Sequence, residues 1–107
     1  MTAFWDAFHD FGVDVVMSGD DHDYERFSPQ TPIGDLDLDR GVTQFVIGTG
    51  GRVHYSFAGA PAQPNSEVRN DDTFGVLKLT LRNGSYDWEF VPEAGKTFTD
   101  LGSRSCH

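Results

Sequence analysis

The period with which apolar positions recur changes several times along this chain, and those changes mark out its elements. Phe4, Trp5, Phe8 and Phe11 return at helical spacing until Gly12 interrupts them, which predicts a short amphipathic helix capped by Thr2. The run Val13-Asp14-Val15-Val16-Met17 predicts a buried strand over 13–18, and Val42 to Ile47 predicts a second. Between Tyr24 and Gly41, Pro29, Pro32, Gly34 and an alternating Asp-Leu-Asp-Leu-Asp run favour an irregular loop.

The clearest local signal is Asn83-Gly84, the dipeptide preferred in a two-residue type I′ turn. Counting outward over 74–92 pairs Leu81 with Tyr86, Leu79 with Trp88 and Leu77 with Phe90 on one face, and Lys78 with Glu89 on the other. Beyond Glu93, glycines and serines suggest a loosely held tail in which His107 is a disordered end. The predicted fold is therefore α/β in the α+β sense: a mixed β-sheet with one amino-terminal helix and a carboxyl-terminal hairpin.

At 107 residues the chain is one domain at most, 1–107, with a modest core. Nine Phe and two Trp supply most of the area it has to bury. Seventeen acidic residues against eight basic ones give a formal charge of −9, which repels phosphate backbones and argues against nucleic acid as a partner. Cys106 is the only cysteine, so no intrachain disulfide forms and the compartment is left open. No apolar run approaches the ~20 residues that span a bilayer, and no signal-peptide pattern is visible, so a soluble chain without membrane partners is expected.

Chemistry concentrates in Gly19-Asp20-Asp21-His22-Asp23-Tyr24-Glu25-Arg26, directly after the first predicted strand. Four carboxylates and one imidazole within six residues form a candidate site for Zn²⁺, Mn²⁺ or Fe. The carboxyl end of a strand is where open α/β sheets place ligands. Three other features carry bland readings. Asp35, Asp37 and Asp39 lack the glycine and terminal glutamate of a calcium loop, Gly48-Thr49-Gly50-Gly51 lacks the lysine of a P-loop, and His9 and His54 are lone histidines.

The segment Gly19 to Gln30 resembles the last metal-binding block of the calcineurin-like metallophosphoesterases, the superfamily of purple acid phosphatases and alkaline phosphatase D-like enzymes. In that family the block reads Gly-His-x-His, often followed by Asp-Tyr-Glu-Arg-Phe, and both histidines bind a two-metal centre. The resemblance continues through Gln44 to Gly51, Asn65 to Asn70 and Thr73 to Leu79. It implies half of a sandwich of two sheets flanked by helices, and a metal-dependent phosphoester hydrolase in which water is activated on a divalent ion.

Carried over residue by residue, Asp20 and His22 are the expected ligands, with Asp21 or Asp23 as additional ligands or as partners that orient His22. Arg26 meets either a substrate phosphate or a carboxylate, the second being the commoner role. Asp20 departs from the family's leading histidine, and the family's earlier ligand blocks would fall upstream of Met1. No catalytic residue is assigned. Two protein ligands bind a metal weakly, so a homo-oligomer or a complementing polypeptide is expected to complete the site. The alternative is a non-catalytic fragment or oligomerising module that keeps a relic of the metal loop.

Overall fold

A computed structural model describes residues 2–19, 22–51 and 62–107. Helix α1 (Thr2–Asp10) ends where expected. Gly12 turns the chain at φ 72°, the Gly12 N–H donates to the His9 carbonyl and the Val13 N–H to that of Phe8, the double bond of a Schellman cap.

The strands divide between two sheets. In the first, β1 (Val15–Ser18), β3 (Thr43–Ile47), β2 (Tyr24–Phe27) and β4 (Ser66–Asn70) lie side by side in that order. Strands β1 and β3 are parallel, and the β3–β2 and β2–β4 pairs are antiparallel. The second sheet is the antiparallel set β5 (Gly75–Arg82), β6 (Ser85–Pro92) and β7 (Leu101–Ser105). With one helix among the described residues and two sheets, the fold is α+β.

The hairpin register is the one counted from the sequence: Leu77 opposes Phe90, Leu79 opposes Trp88, Leu81 opposes Tyr86, and Lys78 opposes Glu89. Its turn differs. Gly84 alone has positive φ, at 82°, while Asn83 stays at negative φ, which is the pattern of a type II turn rather than type I′.

Two further expectations are corrected, and one strand that the sequence did not announce is added. Tyr24–Phe27 is a strand, because its alternate residues Tyr24 and Arg26 face the other sheet while β3 and β4 satisfy its backbone on both sides. Ser66–Asn70, with no apolar alternation of its own, becomes a strand through that pairing with β2. The tail is ordered: β7 pairs with β6, the Cys106 N–H donates to the Gly84 carbonyl, and the His107 N–H donates to Asp14 at 2.9 Å.

The core lies between the sheets, where Tyr24 and Phe45 meet Tyr86, Trp88 and Phe90, with Val15, Ile47, Val68, Leu77, Leu79 and Phe98 around them. Ring centroids stand 4.8 Å apart for Tyr24 and Phe90 and 5.6 Å apart for Phe45 and Trp88, at the tilted angles that aromatic quadrupoles prefer. Gly102 opposes Trp88, and a Cβ there would lie 2.6 Å from its ring, so the indole needs the space that glycine leaves. The aromatic face of α1 is not absorbed into this core. Phe4 and Phe11 are exposed, and α1 is tied down through His9, whose Nε2 lies 3.4 Å from Asp37 and whose carbonyl accepts from Arg40. Among the described residues, no helix is long and apolar enough to cross a membrane.

Candidate functional site

In sheet one β3 is flanked by β1 and β2, so the segment joining β1 to β2 has to pass across the carboxyl end of β3. That segment is the acidic loop. Its two ends are held to β3: Gly19 crosses so near Ile47 that a Cβ would sit 3.4 Å from its carbonyl oxygen, and the Asp23 carbonyl accepts from the Gly48 N–H at 2.9 Å. The loop and the glycine-rich turn after β3 thus share one edge, at the carboxyl ends of the parallel pair β1 and β3. This is the side on which open sheets present ligands.

On that edge His22 is half-buried and Asp23 is buried at 6% exposure. Asp20 and Asp21, the other expected donors, lie outside the described residues, as does His54. Among the described residues no three His, Cys, Asp or Glu side chains converge as a metal-holding group. A Zn²⁺ site needs about four donors. His22 and Asp23 therefore do not enclose an ion by themselves, and Asp20, Asp21 or groups from elsewhere would have to complete the set.

The second half of the block turns away from this edge into the inter-sheet space. The Arg26 guanidinium donates through Nε to Asp100 Oδ2 at 2.7 Å, through Nη2 to Asp100 Oδ1 at 3.2 Å and through Nη1 to Glu67 at 2.6 Å. Tyr24 donates its hydroxyl to the same Asp100 at 2.6 Å. Glu67 accepts from the Ser28 hydroxyl and from Arg104 at 3.2 Å. The two guanidinium groups lie over the Trp88 ring, 4.9 Å away for Arg26 and 5.5 Å for Arg104. Arg26 is 7% exposed and spends donors on both carboxylates, so its place here is in the sandwich interior.

Charges in this cluster follow from the contacts. Burial pushes the Tyr24 hydroxyl far above its usual range, and its bond to the Asp100 carboxylate pushes it further. Burial also opposes the charge on Arg26 and on Glu67, but is overcome in both. The Asp100 and Glu67 bonds raise the Arg26 pKa, while Ser28 and the Arg26 and Arg104 guanidinium groups hold Glu67 below the ordinary carboxylate range. Sequence reading missed Asp100, Glu67 and Arg104 because their partners sit 37 to 76 residues away. No local spacing announces such pairs.

Comparison with protein-family models, with curated proteins and with solved structures finds no match to this chain.

Proposed function

We propose that this chain is the metal-loop part of a metallophosphoesterase-like hydrolase, contributing Asp20 and His22 to a divalent-ion centre that acts on phosphate esters. The observation that carries the reading is that Gly19 and Asp23, the two ends of the acidic loop, are held beside the carboxyl end of β3, on the same edge of the sheet as the turn at 48–51. The Gly-x-x-His block ahead of Asp23 and Tyr24 supports it, since a donor cluster is useful only where the fold delivers it to an accessible sheet edge. Further ligands would come from Asp21, Asp23 or a second polypeptide, since the described residues bring no three donors together.

A second reading is favoured by the Arg26 cluster: Tyr24 and Arg26 spend their polar groups on Asp100 and Glu67, so the block also serves as sandwich architecture. Under that reading the chain is a non-catalytic module and the loop a relic. Calorimetric titration with Zn²⁺ and Mn²⁺, paired with hydrolysis of a chromogenic phosphodiester, separates the two. A working loop loses most of its metal affinity in His22→Ala and in Asp20→Ala, and keeps or gains Zn²⁺ affinity in Asp20→His. Equal binding by wild type and His22→Ala would refute the site.

A further inference from the structure

A third strand ends on the edge that carries the acidic loop. Strand β4 is antiparallel to β2, as β3 is, so β1, β3 and β4 all point one way, and Asn70, level with Tyr24, closes β4 on the same side as Gly19 and Gly48. The chain then doubles back along that edge. The Gly75 N–H donates to the Thr49 carbonyl at 3.0 Å, and the Thr49 hydroxyl donates to the Gly75 carbonyl at 2.9 Å.

The turn after β6 is held against this returning segment. The Glu93 N–H donates to the Phe74 carbonyl at 2.9 Å, the Lys96 N–H donates to the Glu93 carbonyl at 3.1 Å, and the Phe98 ring lies 5.7 Å from that of Tyr24. Between them is a cavity of about 370 Å³ whose walls include Asn70, Asp72, Thr73, Lys96, Thr97 and Phe98. Asn70 Oδ1 accepts from the Asp72 N–H at 3.0 Å, which leaves the Asn70 amide nitrogen as a donor, and Asp72 accepts from the Thr73 hydroxyl at 2.9 Å.

Positive charge is scarce here. Arg26 is committed to Asp100 and Glu67, and Arg69 stands beside Glu25 on the outer face of sheet one. Lys96 is exposed and, among the described residues, is the cation on this edge that no carboxylate holds. An anion approaching the edge meets Asp23 and Asp72 in a chain of formal charge −9, so it needs positive charge besides that of a metal ion.

We propose that Lys96, with Asn70 and Thr97 beside it, binds the phosphate group of the ester, a role that Arg26 is too buried to fill. The proposal rests on the metallophosphoesterase reading given above. A lysine ammonium on its flexible stem serves as a point charge for phosphate, and the cavity beside it leaves room for the rest of the ester.

The chain is titrated calorimetrically with Zn²⁺ and then, loaded with zinc, with inorganic phosphate. Lys96→Ala, at an exposed turn position, should leave zinc affinity unchanged and weaken phosphate binding about tenfold, while Lys96→Arg keeps most of it. In hydrolysis of the chromogenic phosphodiester, Lys96→Ala should raise KM about tenfold with kcat nearly constant, a split that a merely structural lysine would not produce. Equal phosphate affinity in wild type and Lys96→Ala overturns the proposal and leaves the metal reading standing. So does a parallel loss of zinc affinity in Lys96→Ala, or a loss of phosphate binding confined to Arg52→Ala, at the residue that follows Gly51 outside the described set. A wild-type chain that binds no zinc overturns both.

Discussion

Arg26 on β2 and Asp100 just ahead of β7 clasp each other by two parallel hydrogen bonds, of 2.7 and 3.2 Å, across the interface of the two sheets. Both side chains are under a tenth exposed. A buried ion pair contributes little net stability while intact, but removal of one partner leaves a desolvated charge.

Asp100→Ala is accordingly expected to destabilise the protein by about 3 to 5 kcal/mol, read as a lower urea midpoint. A loss under ~1 kcal/mol would mean that Glu67 alone satisfies Arg26. Glu67→Ala, at a more exposed position, should cost clearly less.

The raised Tyr24 pKa makes stability fall in alkali. The folded state keeps the proton when the unfolded state has lost it, so the contribution is complete below about pH 10 and declines as pH rises beyond it. Tyr24→Phe should flatten this alkaline decline and lower stability at neutral pH by roughly 1 to 3 kcal/mol, since Asp100 loses a donor. Urea denaturation between pH 7 and 11 measures both.

Glu67 acts in the opposite sense. Its folded pKa is depressed, so its contribution is present above the ordinary value of about 4.3 and is lost as pH falls through the folded value. Between wild type and Glu67→Gln, the difference in stability should shrink steadily on acidification below that value. A difference that stays constant from pH 7 to pH 3 would contradict the pairing with Arg26, Arg104 and Ser28.

Gly102→Ala tests the berth of Trp88. The added methyl would meet the indole at 2.6 Å, and the ring is hemmed by Arg26 and Arg104, so roughly 1 to 3 kcal/mol of destabilisation is expected. In a Trp5→Phe background the remaining tryptophan emission should move as the ring is displaced. Unchanged emission and stability would place the ring elsewhere.

Where local chemistry sufficed, the sequence was readable. Gly12 ended the helix, and Asn83-Gly84 set a register that the structure repeats pair by pair, because a two-residue turn leaves the flanking strands no freedom to slip. The turn type was misjudged, since that dipeptide admits Asn83 at either sign of φ. Strands β2, β4 and β7 were illegible for a different reason. Tyr24-Glu25-Arg26-Phe27, Ser66–Asn70 and Leu101–Ser105 carry polar residues inward or have weak alternation, and only pairing with distant strands makes them extended. Of the candidate site, the loop position at the end of β1 was legible from an apolar run halted at Ser18-Gly19. The destination of Arg26 was not, for it depends on Asp100, 74 residues further on.

That separation has a consequence for biogenesis. Tyr24 and Arg26 leave the ribosome long before Asp100, and at 5 to 20 residues per second the 76 residues between Tyr24 and its acceptor take roughly 4 to 15 s to translate. Once Asn70 has completed sheet one, and until Trp88, Phe90 and Asp100 follow, the sheet has its strands and Glu67 but lacks both the Asp100 carboxylate that clasps Arg26 and the aromatic wall of the second sheet. A nascent chain stalled before residue 100 should therefore be protease-sensitive throughout β1 to β4, and protection should arrive as one late event.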